Sequence, residues 1–257
     1  MRASTGTIKS EQDIEKLRIS GRLAAQVLEM IGEHVQAGVS TEYLDDLCND
    51  YIVNTLQVIP ANVGYHGFTK TTCISVNEEV CHGIPSSQKI LQDGDILNID
   101  VAVIKDGYFG DTRRMYYVGE VSPAAKKLVE TTYEAMLAGI HTVKPGATLG
   151  DIGHAIQSVA QSNGYTIVRE YCGHGIGRIY HEQPNILHYG QKGQGMTLKK
   201  GMVFTIEPMI NAGKAAIKEL NDGWTVVTQD KSLSAQWEHM VVVTDDGFEL
   251  LTPWPNG

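Results

Sequence analysis

Two carboxylates stand where apolar segments of the sequence end. Asp100 closes the segment 96–100, and Glu207 closes the similar segment 203–207. A carboxylate buried at the end of such a strand is costly unless a cation or a metal ion faces it. The two acids are therefore the first candidates for chemistry.

Each of these acids is followed by a second one further along the chain. Asp111 lies 11 positions after Asp100, and Glu238 lies 31 positions after Glu207. We expect a hairpin to bring Asp111 face to face with Asp100. We expect the extra residues of the second interval to form a loop insertion around 211–230.

Four carboxylates in one buried place would repel one another, and two divalent cations would neutralise them. For any single acid, pairing with Arg113, Arg114 or a surface lysine is the simpler reading. For all four acids together, a metal site is the better interpretation. His174 stands among glycines that let backbone and metal approach closely, although it also fits a turn. Oxygen-rich ligation with one imidazole suits Mn(II), Fe(II) or Co(II) better than structural zinc.

The acids occupy matching places in an internal repeat. Residues 91–100 match residues 198–207, and residues 38–48 match residues 146–156, at offsets of 107 and 108. Short motifs can match by chance, but agreement in both helical and strand parts favours duplication. We therefore predict a single domain over 1–257, with halves of about 8–120 and 121–250.

Cap residues and turns predict the elements that position the acids. Ser10, Ser40 and Thr148 are natural helix N-caps, and Ser122 precedes a proline that suits a first helical position. Hairpin turns are expected at 105–107 and 245–247. The predicted fold is α/β (α+β) with pseudo-twofold symmetry, in which two helix pairs cover a curved antiparallel sheet.

Composition limits the class of protein. The 257 residues carry a net charge of −9, which argues against a protein whose main task is binding nucleic acid. The N-terminus has no apolar core typical of a secretory signal, and no apolar segment is long enough to span a membrane. The four cysteines form no C-x-x-C pair, so reduced thiols in the cytoplasm are expected.

These residues together resemble the five-ligand dinuclear site of the methionine aminopeptidases and their pita-bread relatives. The resemblance extends from about Ile8 to Pro253 and is strongest in the motifs at 77–85, 173–177, 206–208 and 237–239. It favours the type I, short bacterial form. We expect no zinc-binding N-terminal extension, and the interval between Glu207 and Glu238 is too short for the helical insert of type II.

The resemblance implies two divalent metal ions, Fe(II), Mn(II) or Co(II), and a role for each ligand. Asp111 and Glu238 bridge both ions, Asp100 completes the shell of the second, and His174 and Glu207 complete the shell of the first. A metal-bridging hydroxide is then the nucleophile, and Glu207 is the general base.

The same resemblance assigns two catalytic histidines and a methionine pocket. His181 polarises the scissile carbonyl or holds the tetrahedral oxyanion, and His82 binds the scissile amide nitrogen as the amine leaves. Taken alone, either histidine fits a turn equally well. The substrate-binding residues are Tyr65, Phe68, Cys73, His82, Tyr180, His181 and Trp224.

The implied activity is removal of the initiator methionine from nascent polypeptides whose second residue is small. Transient ribosome contact follows from such an activity, and Lys214, Lys218 and Lys231 are candidate contacts, although solvated charges explain them as well. A monomer that binds no specific nucleic acid and no membrane is expected.

Three other functions fit part of this pattern. An aminopeptidase P or prolidase shares the five ligands but carries a large additional N-terminal domain. A binding or chaperone module that lost catalysis would be expected to lose ligands, and here every ligand position holds a competent residue. A mononuclear iron oxygenase that recruits His66 and His82 would need an H-x-D motif, and the sequence has none.

Overall fold

A computed structural model describes residues 7–254, so residues 1–6, which we expect not to form a secretory signal, lie outside the described residues. The α-helices are α1 (Glu11–Gly32), α2 (Thr41–Asp50), α3 (Pro123–Ile140) and α4 (Leu149–Ser162), a π-helical turn (Tyr51–Thr55) continues α2, and a 3-10 turn covers Tyr65–Gly67. The strands of the first half are β1 (Ile59–Pro60), β2 (Thr72–Val76), β3 (Glu79–Cys81), β4 (Ile96–Lys105) and β5 (Tyr108–Tyr117). Those of the second half are β6 (Thr166–Ile167), β7 (Gly173–Gly175), β8 (Glu182–Ile186), β9 (Val203–Ile206), β10 (Met209–Asn211), β11 (Ile217–Glu219), β12 (Val226–Thr228), β13 (Ser234–Gln236), β14 (His239–Val243) and β15 (Phe248–Leu250).

All four long helices begin at the predicted cap residues. Ser10, Ser40, Ser122 and Thr148 each accept a hydrogen bond from a backbone N–H of the first turn. At Ser10 and Thr148 an aspartate three residues later completes a capping box. These local bonds fix where each helix starts, and the apolar face of each helix then packs on a sheet.

The long hairpin β4–β5 carries the first two acids. Asp106 and Gly107 have positive φ angles, 53° and 80°, as a two-residue hairpin turn requires. The resulting register pairs Asp100 with Arg113 and Ala102 with Asp111. The expectation that Asp100 and Asp111 stand face to face is therefore wrong. The tight turn pairs Lys105 with Tyr108, so the two acids are diagonal neighbours on one face of the hairpin.

The second pair of acids borders a five-stranded antiparallel sheet of order β15-β14-β9-β7-β8. Glu207 follows β9 and Glu238 precedes β14, whose register pairs Ile206 with His239. The predicted loop insertion around 211–230 is wrong, because that segment contains β11 and β12. Strand β12 pairs with β3 of the first half, which supplies partners for its backbone polar groups.

The two halves meet where β5 lies beside Glu238. The Glu238 N–H donates to the Arg113 carbonyl at 3.0 Å, and the Arg113 N–H donates to the Glu238 carbonyl at 3.5 Å. This backbone seam brings the acids of both halves to one place. The duplication itself stays a prediction.

Two hydrophobic clusters lie under the helix pairs. Leu28, Leu44 and Ile99 belong to the cluster beneath α1 and α2, while Leu128 and Phe204 belong to the cluster beneath α3 and α4. Among residues 7–254, no helix has both the length and the apolar composition that crossing a bilayer requires.

Helix α1 contacts β5 directly at the residue before Asp111. A Cβ atom on Gly110 would lie 2.1 Å from the Ser20 carbonyl oxygen, so backbone would have to move. We expect Gly110→Ala to lower the free energy of unfolding by about 3 kcal/mol, since overpacking of this kind typically costs 1–3 kcal/mol and backbone cannot yield cheaply. Urea unfolding measures the loss. Gly247→Ala is the control, because its Cβ meets nothing within 4 Å, and equal stability of the two variants would contradict the expectation.

Candidate metal centre

The acids and histidines face one cavity of about 320 Å³ between the two halves. All twelve site residues that the sequence predicted line this cavity: Tyr65, Phe68, Cys73, His82, Asp100, Asp111, His174, Tyr180, His181, Glu207, Trp224 and Glu238. Asn62, His66 and Arg113 also line it and were not assigned to the site from the sequence. Side chains alternate between the two faces of β5, so Arg113, two positions after Asp111, faces the same side. This alternation would have predicted Arg113 at the cavity.

Asp111, His174 and Glu238 form the tightest group of donors. One ligand atom from each lies within 4.8 Å of the others. Nε2 of His174 is 3.5 Å from Oδ2 of Asp111 and 3.6 Å from Oε1 of Glu207. Two donors on one ion, each about 2.1 Å from it, stand about 3–3.5 Å apart, so these distances suit a shared metal.

The hydrogen bond that His174 makes to the backbone also suits metal binding. Its Nδ1 lies 3.0 Å from the carbonyl oxygen of Gly175, to which it donates, so in the neutral imidazole the lone pair is on Nε2 and is directed to the cavity. Burial opposes protonation, but Asp111 and Glu207 raise the pKa of His174 in the metal-free protein. The strand β7 thus presents an imidazole whose orientation is set by backbone.

Three carboxylate oxygens at the site have no hydrogen-bond partner among the described residues. They are Oδ1 of Asp100, Oδ1 of Asp111 and Oε1 of Glu238, and all three are buried. Such atoms ordinarily find a donor or a cation, because an unsatisfied buried acceptor is costly. Carboxylate oxygens without a partner around Nε2 of His174 fit a divalent metal ion.

Glu207 is held by its own hydrogen bonds. Thr205 Oγ1 donates to Oε1 at 2.7 Å, and Gln236 Nε2 donates to Oε2 at 3.3 Å. Burial raises the pKa of Glu207 to about 7, although His174 and Arg113 oppose the rise. Burial likewise raises the pKa of Asp111 and of Glu238, with neighbouring carboxylates adding to the effect at both. The metal-free site therefore favours bound protons.

Asp100 differs from the other acids because it has a cationic partner. Oδ2 of Asp100 accepts a hydrogen bond from Nη2 of Arg113, and both side chains are almost fully buried. For Asp100 the simpler interpretation given to any single acid, an ion pair with an arginine, is therefore correct. The other three acids make no ion pair with a lysine or arginine among residues 7–254.

Aromatic side chains form the rest of the cavity wall. The Phe68 and Trp224 rings lie edge to face at 5.0 Å, and His82 lies 6.1 Å from Trp224. Desolvation lowers the pKa of His82 to about 4, so its imidazole is neutral near pH 7. At the cavity mouth, the Tyr65 hydroxyl is 2.7 Å from Nδ1 of His181. The pocket can accept an apolar group beside neutral imidazoles.

The chain is similar to known proteins over nearly its whole length. Residues 15–245 match a family model described as "Metallopeptidase family M24". The chain is 56% identical to the methionine aminopeptidase of Escherichia coli (strain K12) over 246 residues, 96% of this chain and 93% of that one. It is similar to the crystal structure of methionine aminopeptidase from Rickettsia prowazekii, with a TM-score of 0.95, 54% identity and coverage of 97% and 100%. For methionine aminopeptidase from Thermotoga maritima the TM-score is 0.94, with 40% identity and coverage of 96% and 99%.

The raised pKa of Glu207 makes a prediction about the metal-free protein. An unfolded glutamate titrates near 4.5 and Glu207 titrates near 7, so the folded protein binds the extra proton between those pH values. The stability that Glu207 contributes is present below about pH 4.5 and is lost as pH rises through about 7. With EDTA present, we expect the unfolding free energy of wild type minus that of Glu207→Gln to fall between pH 5.5 and 8.

The comparison with Glu207→Gln cancels the titration of groups that do not interact with Glu207, because both proteins share it. Chemical unfolding at several pH values gives the two stability curves. Exposed Glu120 supplies the control, and Glu120→Gln should follow the wild-type curve. A difference between wild type and Glu207→Gln that stays constant with pH would contradict the expected titration.

Proposed function

The chain belongs to metallopeptidase family M24, and from that membership, with its identity to methionine aminopeptidases, we propose that it removes the initiator methionine from polypeptides whose second residue is small. It is a metal-dependent aminopeptidase with the pita-bread fold. The observation that carries the proposal is the convergence of the five predicted ligand side chains and an apolar pocket on one cavity.

The ligand set supports a pair of divalent ions held by the five predicted side chains. Asp111, His174 and Glu238 lie close enough together to bind one ion, while Asp100 and Glu207 border the same cavity. We propose Fe(II), Mn(II) or Co(II), which oxygen ligands with one imidazole accept. When bound, such ions supply Lewis acidity that makes water a nucleophile near neutral pH.

Glu207 is the group proposed to move the proton. Thr205 and Gln236 hold its carboxylate towards the cavity, where it accepts a proton from the attacking water and returns it to the leaving amine. Both hydrogen bonds fix the carboxylate plane, so the proton transfer needs no rearrangement of the side chain.

His181 and His82 are proposed to bind the scissile amide. If the Tyr65 hydroxyl donates to Nδ1 of His181, then Nε2 keeps its hydrogen and donates to the scissile carbonyl oxygen. Desolvation lowers the pKa of both imidazoles, so both are neutral hydrogen-bonding groups rather than fixed cations. His82 lies beside Trp224, where it can bind the amide nitrogen.

The methionine side chain is proposed to enter between the aromatic residues. Phe68 and Cys73 are buried, while Trp224 and Tyr65 are only half-buried. An unbranched thioether packs well against such rings, because sulfur–aromatic contacts are favourable. Tyr180 donates its hydroxyl hydrogen to Oδ1 of Asn62 at 2.9 Å, which fixes the ring at one side of the cavity.

The proposal extends to the setting in which the enzyme acts. Newly made polypeptides are the substrate class, so we propose action in the cytoplasm with transient contact to the ribosome, as a monomer. Lys214, Lys218 and Lys231 are exposed on or near the inserted strands and are the candidate contacts. Their positive charge suits a ribosomal surface rich in phosphate.

Peptide hydrolysis tests the activity and its specificity together. Protein loaded with Mn(II) or Co(II) is given an equimolar mixture of Met-Ala-Ser, Met-Leu-Ser and Ala-Pro-Ala, and mass spectrometry identifies the shortened peptides. We expect loss of methionine from Met-Ala-Ser alone, and none after chelation. Cleavage of Ala-Pro-Ala instead would assign the chain to the prolidase branch. A folded protein that cleaves nothing with any metal would contradict the proposed activity.

Replacement of His181 tests the proposed carbonyl contact. We expect His181→Ala to lower kcat for Met-Ala-Ser by about 10²–10³-fold, the usual cost of losing a transition-state hydrogen bond. The KM should change little, because the contact strengthens as the oxyanion forms. Steady-state kinetics measure both values, with His154→Ala as the control, since His154 is exposed on α4. Equal kcat for the two variants would remove His181 from the mechanism.

A further inference from the structure

Lys9 is a buried lysine outside the cavity, and its ammonium lies behind the loop that carries His181. We call residues 177–181, in the connection between β7 and β8, the His181 loop. Nζ of Lys9 donates to Oε1 of Glu182, which directly follows the loop, and the two side chains are only 7% and 13% exposed. A Cβ atom on Gly177, where the loop begins, would overlap the same ammonium. Lys9 therefore lies against both ends of the loop.

The segment that carries Lys9 is fixed by its own backbone. The Lys9 N–H donates to the Gly201 carbonyl at 2.8 Å, and Ile8 forms an antiparallel bridge with Met202. Ser10 then begins α1 with a complete capping box. None of these bonds involves the ammonium, so the segment keeps its place without the ion pair. The segment is a fixed base to which the loop is tied.

Other side chains of the His181 loop have their own hydrogen bonds. Nε of Arg178 donates to the Tyr108 hydroxyl at 3.0 Å, and Tyr180 donates to Asn62 at 2.9 Å. His181 is exposed at the cavity mouth, so little packing surrounds it. Its position therefore depends on the two residues that flank it, Tyr180 and the glutamate that Lys9 binds.

The sheet gives Glu182 little support. It pairs with Gly175 of β7, but the next paired residue of β8 is Asn185, opposite His174. Residues 183–184 thus lie between two pairs that are adjacent on β7, and the ladder is interrupted directly after Glu182. Interruptions of this kind change the direction of neighbouring side chains and occur beside active sites. The ion pair supplies a contact that the ladder does not.

We propose that Lys9 and Glu182 are positioning residues for His181, and that their buried ion pair holds the loop so that the imidazole meets the scissile carbonyl. Neither side chain lines the cavity, so both act through the loop. The inference rests on the proposed function for the part that His181 plays in hydrolysis.

The variant that tests the proposal removes both charges together. Removing one partner of a buried ion pair leaves the other charge unpaired, which destabilises a protein whatever the loop does. Lys9→Met combined with Glu182→Gln, called the double variant below, keeps the side-chain volumes and leaves no buried charge. Lys16→Met is the matched control, because Lys16 is also an early lysine paired with an acid, Asp106, but both side chains are largely exposed.

Hydrogen exchange tests the positioning without reference to activity. Mn(II)-loaded wild type, the double variant and Lys16→Met are compared by mass spectrometry of peptides that cover residues 173–186. We expect amide exchange in this segment to rise at least about tenfold in the double variant, because local opening becomes easier when an anchor is lost. Lys16→Met should exchange at the wild-type rate.

Kinetics test whether this position matters for hydrolysis of Met-Ala-Ser. We expect the double variant to lower kcat at least about tenfold, since a displacement of about 1 Å can cost two orders of magnitude. KM should change little, because Tyr180 keeps its bond to Asn62. In a His181→Ala background the double substitution should lower kcat no further, because the group through which it acts is gone.

Glu182→Asp gives a second test that does not depend on folding of the double variant. It keeps both charges but shortens the acid by one methylene group, so the ion pair draws the loop towards Lys9. We expect a severalfold lower kcat, again absent in the His181→Ala background. Steady-state kinetics and circular dichroism measure activity and folding side by side.

Two results would overturn the proposal. One is wild-type exchange across residues 173–186 in the folded double variant or, if that variant does not fold, wild-type exchange and kcat in Glu182→Asp. The other is an equal loss of kcat with and without His181, which is the result of a merely structural role. The proposed function fails separately: wild type that releases no methionine, while the double variant exchanges faster, contradicts that function and leaves the positioning of the loop in place.

Discussion

Mutual repulsion among buried carboxylates is the constraint on which the site depends. Asp100, Asp111, Glu207 and Glu238 are each no more than 8% exposed and share one cavity. Without metal the protein offsets their charge in two ways. Burial raises three carboxyl pKa values so that protons are retained, and Arg113 neutralises the fourth acid. Rigid strands and the apolar clusters beneath the helices must hold the remaining unfavourable arrangement in place.

Features set by local chemistry were predicted well from the sequence. Ser10 and Thr148 begin their helices because a hydroxyl and an aspartate three residues later satisfy backbone groups within one turn. The hairpin β4–β5 is local in origin too, because Asp106 and Gly107 adopt the positive φ angles that a two-residue turn requires. Its register was not predicted, because the pairing of each residue depends on how many positions the turn occupies. One position more or less would have moved Asp111 to the other face.

Features set by contacts distant in sequence were beyond the reach of pattern alone. Tyr65 and His181 are 116 positions apart, and only the folded chain shows that their side chains meet. The resemblance to known enzymes placed both at the site, whereas the spacing of residues did not. The sequence predicts a loop where β11 and β12 lie, because β12 pairs with β3 of the other half and β11 pairs with β12. The sequence indicates that Arg113 can pair with an acid, but it does not indicate that the Arg113 side chain lines the cavity.

The backbone seam between Arg113 and Glu238 has a consequence for biosynthesis. Asp111 leaves the ribosome 127 residues before Glu238 does, so the first half of the chain exists for most of its synthesis without a complete ligand set. An ion captured early would meet only Asp100 and Asp111 on an exposed hairpin. The complete ligand set is assembled only when the seam closes, because His174, Glu207 and Glu238 all belong to the second half of the chain.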